Sequence, residues 1–245
     1  MKLSIIIPVF NEQNTILQIL EKINMVDFIQ KEIIIVDDCS SDKTINLLKN
    51  LSKQEYKIFY HNINLGKGAA IQTGKKFVTG DIVVIQDADL EYDPEDYKLL
   101  VEPIVNGKAK VVYGSRVLGK KRYSLKNFSS IYRIFFNHLL TIFSNIMNNQ
   151  NLTDAHTCYK TFSKELFNSI DLKENGFSFC PEITTKIANK KIEIKEVPIE
   201  YYGRSYKEGK KINLIDGFKA LFAIIKYRFL KWKIKLKLDQ IGVLV

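Results

Sequence analysis

Asp81-Ile82-Val83-Val84-Ile85-Gln86-Asp87-Ala88-Asp89-Leu90-Glu91 is the stretch that decides the fold. Its apolar, mostly β-branched core reads as a strand over Asp81–Gln86 buried on both faces, as strands inside parallel sheets are. Acids close it: Asp87, Asp89 and then Glu91. The same arrangement occurs twice upstream. Leu3–Val9 is a continuous apolar run followed by Glu12, and Glu32–Val36 is a second run closed by Asp37-Asp38.

Helical patterns separate these strands. Ile16, Leu17, Leu20 and Ile23 recur at helical spacing over residues 13–24. Ser40-Ser41-Asp42 supplies capping side chains for a helix over ~43–52. Lys57–Tyr60 reads as a further strand, and Asn64-Leu-Gly-Lys-Gly-Ala-Ala opens a helix that Gly80 ends. Pro94 suits the first turn of another helix, and Lys110–Tyr113 completes a fifth strand. This alternation predicts an α/β fold with a mostly parallel central sheet flanked by helices. Such sheets bind ligands at the carboxyl ends of their strands, where the acids lie.

The second half is less regular. Gly114–Lys126 and Gly203–Lys211 are polar, basic loops. Residues 128–147 carry an apolar stripe of Ile131, Phe135, Leu139, Ile142 and Ile146 at helical spacing. Thr157–Phe162 and Lys191–Val197 read as strands, with a helix from Pro181 to ~189. Leu214, Ile215, Phe218, Leu221, Phe222, Ile225 and Phe229 form the apolar face of a helix over ~212–230. Lys231–Leu238 then alternates strictly, a pattern that fits a strand or a basic interfacial tail. The expected organisation is one domain over 1–211, with halves at 1–113 and 114–211, followed by a basic amphipathic helix and tail over 212–245.

Charge divides the chain in the same place. Residues 1–110 hold 13 Lys and Arg against 16 Asp and Glu, and residues 111–245 hold 24 against 11, which gives −3 and +13 and the overall +10. The basic half points to an anionic partner. No helix-turn-helix, zinc-finger or RNP pattern supports nucleic acid. The three cysteines, Cys39, Cys158 and Cys180, are far apart and form no CxxC pair, so they suggest neither a zinc site nor a disulfide framework. A reducing cytosol is the simplest home for them. The apolar start is too short for a signal sequence, and no run of ~18 apolar residues occurs.

Aspartates spaced i, i+2 at a strand end, with Glu91 beyond, can hold Mg²⁺ or Mn²⁺ by oxygen ligands. The ion would neutralise charge on a departing diphosphate. Taken alone, the same acids equally fit a solvated strand-to-loop cap.

Context sharpens this reading. Ile5-Ile6-Ile7-Pro8-Val9-Phe10-Asn11-Glu12, Ile35-Val36-Asp37-Asp38-Cys39-Ser40-Ser41-Asp42, Asn64-Leu65-Gly66-Lys67-Gly68 and Asp87-Ala88-Asp89 resemble, in order, the motifs of family 2 glycosyltransferases of the GT-A fold. Asp87-Ala-Asp-Leu-Glu-Tyr-Asp-Pro, Gly114-Ser115-Arg116, Thr153-Asp154 with Thr157-Cys158-Tyr159-Lys160, and Gly203-Arg204-Ser205 resemble the dolichyl-phosphate mannose synthase branch, over about residues 1–230. The resemblance implies that Pro8, Phe10, Glu12, Asp37, Lys67, Asp87 and Ala88 bind the nucleotide sugar. It implies Asp87, Asp89 and Glu91 at the metal, with Asp89 and Arg116 in the catalytic set and Arg116 on phosphates. Arg133, Arg204 and Lys210 would hold the acceptor phosphate. Two positions depart from the branch: Glu91 stands where its members tend to carry Gln, and Phe10 where Tyr is frequent.

The implied reaction is inverting transfer of a sugar, mannose or glucose favoured, from GDP-mannose or a UDP-sugar to a polyprenyl phosphate. A phosphate acceptor arrives ionised, so positioning and charge neutralisation can carry the catalysis. Should the acceptor be a saccharide hydroxyl instead, Asp154 is the best-placed base in the sequence; a capping aspartate is its bland reading. Nucleotidyl transfer and a non-catalytic binding module are remoter alternatives. Peripheral attachment at the cytoplasmic membrane face is expected from the basic, amphipathic C-terminal helix, although helical spacing alone equally fits a helix packed on the core. Gly66-Lys67-Gly68 reads as a helix-opening turn and the histidines as scattered structural residues; Arg204–Lys211 is a solvated loop on composition alone and a phosphate-binding flap with the resemblance; Glu182 fits a first-turn acid complementing the helix dipole or one facing the acceptor.

Overall fold

The computed structural model describes residues 1–119, 128–204 and 214–240, with 128–133, 214 and 230–240 as backbone only. Its centre is a seven-stranded sheet in the order β3-β2-β1-β4-β6-β5-β7. The strands are β1 (Lys2–Val9), β2 (Gln30–Asp37), β3 (Tyr56–Tyr60), β4 (Ile82–Ile85), β5 (Val111–Ser115), β6 (Lys160–Ser163) and β7 (Lys195–Pro198). β1 pairs in parallel with β2 and β4, and β2 with β3. β6 alone runs antiparallel, against both β4 and β5. The sheet is therefore mixed but mostly parallel, as expected. One antiparallel strand between β4 and β5 turns the chain back and brings residues 153–159 to the rim where the acids stand.

The apolar runs are buried because helices cover both faces. Ile5, Ile7, Ile33, Ile35 and Val84 face one core with α1 (Ile16–Met25) and α4 (Tyr97–Val105). Ile6, Ile34, Val83 and Ile85 face the other with α3 (Lys67–Lys75), α6 (Lys164–Ser169) and α7 (Phe179–Asn189). Period-two alternation sends neighbours to opposite cores, and both are apolar. α2 (Thr44–Lys49) follows β2, and α4 is introduced by a 3₁₀ turn, Pro94–Asp96, capped by the Asp93 side chain on Glu95 N–H at 3.2 Å.

At the edge opposite the acids, Glu32 locks three strands together. It accepts from Ser4 Oγ, from Thr79 N–H at 2.7 Å and Gly80 N–H at 3.0 Å, and pairs with Lys57 and Lys2 at 3.0 Å each. Burial alone would raise its pKa, but these hydrogen bonds hold the carboxyl well below the usual range.

The structure differs from the sequence pattern in four places. α3 stops at Lys75 rather than at Gly80. α6, six residues capped by Ser163, was not expected, since so short a helix has no periodicity to read. α8 spans Leu214–Gln240, so the alternating segment continues as helix rather than as strand or tail. On α5 (Phe128–Asn148) the apolar stripe faces outward. Phe135, Leu139, Ile142 and Ile146 are exposed, while Thr141, Ser144 and Asn148 are buried. Asn148 Nδ2 donates to Thr185 Oγ1 of α7 at 3.2 Å, which lets this polar face pack inward.

α8 packs on α7 and α5 through Ala220, Ala223, Ile224 and Tyr227. Its other apolar residues, Ile215, Phe218, Phe222, Ile225 and Phe229, are exposed. Among the described residues no helix is long and apolar enough to cross a membrane.

Candidate functional site

The site is built where β1, β2 and β4 end. In-register pairing of Val9 with Asp37, and of Ile6 with Ile85, brings the acids that follow each strand to one rim. Asp37 accepts from Ser40 N–H at 3.0 Å and Ser40 Oγ at 2.6 Å, which closes the turn after β2. Asp38 accepts from Leu65 N–H at 2.9 Å and Gly66 N–H at 2.6 Å, and His61 meets it at 2.7 Å. It thereby fixes the start of α3. Gly66 has φ +100°, and a Cβ there would lie 2.6 Å from the Asn175 carbonyl, so glycine is required.

This start delivers Lys67 to the acids. Lys67 Nζ pairs with Asp87 Oδ1 and lies 3.1 Å from Cys158 Sγ. Burial works against its charge, yet Asp87 and the Cys158 thiol keep its pKa well above the ordinary lysine value. Spacing suggested a helix-opening turn for Gly66-Lys67-Gly68 and the resemblance put Lys67 at the nucleotide sugar; its partner Asp87, 20 residues away, was not legible.

Arg204 reaches the same rim from the far end of the described chain. Its guanidinium meets Glu12 at 3.1 and 3.2 Å and Asp89 at 2.8 Å. Its main-chain N–H donates to Glu91 Oε1 at 2.8 Å, and Tyr201 Oη donates to Glu91 Oε2 at 2.8 Å. Tyr202 N–H donates to the Glu91 carbonyl at 2.9 Å. Glu91 thus anchors the 201–204 segment beside the strand-end acids. Leu90, with φ +61°, makes the tight turn that separates Glu91 from Asp89.

Asp87, Asp89 and Glu91 are an oxygen donor set suited to a hard divalent ion. Burial, then the charges of Asp87 and Glu91, push Asp89 up to about 7 against Arg204 and Lys67. Such crowding of like charge is what a bound cation relieves. Among the described residues, however, no three His, Cys, Asp or Glu side chains converge on one point. Asp87 and Asp89 fit the ion by placement and chemistry. Glu91 reaches it only by giving up Tyr201 and the Arg204 main chain.

Arg116 and Asp154, from the segments after β5 and before β6, form a second unit. Arg116 Nε and Nη2 donate to the two Asp154 oxygens at 2.7 and 2.8 Å. The guanidinium carbon lies 5.1 Å from the centre of the Tyr201 ring. Burial would raise Asp154, but the Arg116 charge and hydrogen bonds hold it below the usual carboxylate range. Glu196 of β7 holds this loop by accepting from Thr153 N–H at 2.6 Å and Asp154 N–H at 2.9 Å.

Gln86 supports the rim from below. Its Nε2 donates to the Asp87 carbonyl at 2.9 Å, while its Oε1 accepts from Tyr97 Oη at 2.7 Å and Tyr159 Oη at 2.6 Å. Pro8 and Phe10 lie half-buried at the end of β1, and Ala88 is buried between the two aspartates. Arg133 lies on α5 within the part described as backbone, and Lys210 lies outside the described residues. Glu182 is buried in the first turn of α7. It accepts from Lys173 and Glu174 N–H at 2.8 Å each and so shapes the loop before α7.

Comparison with known proteins agrees with this arrangement. The glycosyl transferase family 2 profile matches residues 4–171. A dolichyl-phosphate beta-glucosyltransferase of Trichomonas vaginalis is 29% identical over 95% of this chain and 76% of its own length. A dolichol-phosphate mannosyltransferase of Pyrococcus furiosus is also 29% identical, over 95% of this chain and 65% of its own length. Among solved structures, glucosyl-3-phosphoglycerate synthase from Mycobacterium tuberculosis, crystallised with Mn²⁺, UDP and phosphoglyceric acid, superposes with a TM-score of 0.69 at 18% identity. That likeness covers 93% of this chain and 77% of the other, and it speaks to the fold. The profile match over most of the sheet, on a rim built as described, shows that the chain belongs to glycosyl transferase family 2 and is a glycosyltransferase of the GT-A fold.

Proposed function

We propose that this protein transfers a sugar, mannose or glucose, from a nucleotide-diphosphate sugar to a polyprenyl phosphate, with inversion and with Mg²⁺ or Mn²⁺. The Arg116–Asp154 pair is the observation that carries the acceptor assignment. Asp154, the best candidate base for a hydroxyl acceptor, is buried and bound at both oxygens. A carboxylate so held is a poor proton acceptor. An acceptor that arrives already ionised needs none.

In this reading Pro8, Phe10, Glu12 and Asp37 line the nucleoside side of the rim, and Ala88 lets the diphosphate approach the backbone. Lys67 faces the diphosphate from the start of α3. Asp87 and Asp89 would hold the ion, which neutralises charge on the departing nucleoside diphosphate when bound. Arg116 offers its positive charge to phosphate from its place against Asp154. Arg204, with Arg133 and Lys210, takes the acceptor phosphate. Its guanidinium then exchanges Glu12 and Asp89 for phosphate oxygens, a stronger bidentate partner. An acceptor oxygen attacks the anomeric carbon as the bond to the diphosphate breaks, so one displacement inverts the configuration.

The exposed apolar rows of α5 and α8 support membrane attachment. Phe135, Leu139, Ile142 and Ile146 on one helix, and Phe218, Phe222, Ile225 and Phe229 on the other, lie on packed neighbours, with Lys219 and Lys226 exposed beside them. Apolar side chains flanked by lysines suit the headgroup boundary of an anionic bilayer. A polyprenyl tail would stay in that bilayer and present only its phosphate, and the cytoplasmic face is where nucleotide sugars would meet it.

The test is a donor screen. Purified protein, Mn²⁺ or Mg²⁺ and a short polyprenyl phosphate are given GDP-mannose, UDP-glucose or UDP-N-acetylglucosamine, with and without EDTA. Transfer of label to the organic phase from one donor, abolished by EDTA, is expected. Nucleotide binding with no lipid product from any donor would overturn the acceptor assignment.

A further inference from the structure

The three cysteines look unrelated in sequence, yet the fold brings two of them to the donor lysine. Cys158 precedes β6, and Cys180 sits in the first turn of α7, 22 residues on. Lys67 Nζ is 3.1 Å from Cys158 Sγ and 5.9 Å from the ring centre of Phe179, the neighbour of Cys180. Cys180 Sγ contacts the carbonyl of Thr157, the neighbour of Cys158, at 3.6 Å. That carbonyl belongs to the peptide bond leading into Cys158, so the Cys180 sulfur lies one peptide unit from Cys158. Cys158 is partly exposed and Cys180 is buried behind it. Both are free thiols, and neither has a place in the transfer reaction.

We infer that Cys158 and Cys180 form a reversible dithiol–disulfide pair beside the donor lysine, oxidised by small disulfides of the glutathione class. The negative charge of the pair rests on Cys180, and Cys158, partly exposed, attacks the small disulfide as its proton passes to Cys180, forming a mixed disulfide and releasing one thiolate, which then takes the proton from Cys180. The Cys180 thiolate then attacks the Cys158 sulfur, forming the internal bond and releasing the second. Two protein thiols and one disulfide become one protein disulfide and two small thiols, with both protons accounted for.

The surroundings favour this chemistry. Lys67 and the buried Lys160 place positive charge near the sulfurs, and the first turn of α7 favours negative charge on Cys180. The Cys158 hydrogen bond and then the two lysines bring Cys180 down to about 6 against burial, while Cys180 and burial push the Cys158 thiol well up, so the pair holds one negative charge, on Cys180. Closing the pair to a covalent bond of about 2.05 Å draws the Cys158 sulfur toward α7. Lys67 then loses one of its two contacts, and the start of α3 loosens. The consequence for transfer rests on the proposed donor site; formation of the bond does not.

The experiment treats the reduced full-length protein with oxidised glutathione and reads two signals that need no substrate. Mass spectrometry is expected to find a peptide joining Cys158 to Cys180, two hydrogens lighter than its parts and reversed by dithiothreitol. Hydrogen exchange is expected to quicken over residues 66–75 in the oxidised form alone. Cys39→Ser should keep both signals, and Cys180→Ser should lose both while folding normally. Nucleotide affinity for Mn²⁺ with GDP or UDP should then fall about fivefold on oxidation, the low end of ordinary coupling between sites. Absence of the joined peptide while Cys39 reacts, or a joined form with unchanged exchange over 66–75, would overturn the inference. If neither nucleotide binds the reduced protein, the donor reading fails while the disulfide result stands.

Discussion

The proposed donor rim and the proposed acceptor side are built in different ways. On the donor rim, Asp37 ends β2, Asp38 follows it and Asp87 and Asp89 follow β4, and Ser40, Leu65 and Gly66 hold the first two in place. Their positions follow from strand register. On the proposed acceptor side, Arg116, Asp154, Tyr201 and Arg204 come from loops around β5, β6 and β7, and side-chain contacts to Asp154, to Glu196 of β7 and to Glu91 place them. Arg204 crosses 192 residues to meet Glu12. In the proposed reading, a sheet edge supplies a fixed place for a nucleotide, while charged pairs between loops supply a place that an incoming phosphate can rearrange.

Substitutions should separate the two sides. Asp89→Asn should give the largest loss, about a thousandfold in kcat, because charge on the departing diphosphate goes unbalanced. Steady-state transfer assays measure it, and wild-type turnover in this variant would sink the metal assignment. Lys67→Met should cost about a hundredfold in kcat/KM for the donor, with acceptor KM little changed. Arg204→Ala should act the other way. Acceptor kcat/KM should fall about thirtyfold, as expected for losing one charge-assisted phosphate contact. Donor affinity should hold, since Asp89 loses a competing cation. Equal losses on both substrates would erase the distinction between the two sides.

Membrane attachment offers a smaller effect. Phe218→Ser with Phe222→Ser should weaken binding to anionic vesicles about tenfold or more, given ~1.5–3 kcal/mol per buried large apolar side chain. The thermal midpoint should not move, because both side chains are exposed. Sedimentation with vesicles reads the first and calorimetry the second.

The smallest effect concerns the edge farthest from catalysis. Glu32 has a depressed folded pKa, so its contribution is present above its ordinary value of 4.5 and is lost as pH falls below it. Glu32→Gln should lower stability at pH 7 and flatten the acid limb of the stability profile, with kcat unchanged. A parallel shift at every pH would show that Glu32 acts only through packing.

What could be read from the sequence follows the same division. β1, β2 and β4 were legible because unbroken β-branched runs have few other uses, and the acids that close them mark the rim. The order of motifs pointed to the family. Pairings across the fold were not legible: Lys67 with Asp87, Arg116 with Asp154, Cys158 beside Cys180. No local period encodes a contact between two loops. The α5 stripe shows the converse, since spacing reveals an apolar face but not which way it looks. Its burial of Thr141, Ser144 and Asn148 depends on α7 supplying Thr185 as a partner.

The central claim is that the acceptor brings its own negative charge. It is tested most directly by offering the protein, with Mn²⁺ or Mg²⁺ and labelled donor, a polyprenyl phosphate and the matching polyprenol. The account predicts an acid-labile, lipid-soluble sugar phosphodiester from the phosphate and no product from the alcohol. Transfer to the alcohol, or to a saccharide hydroxyl in preference to the phosphate, would contradict it and return Asp154 to the role of base.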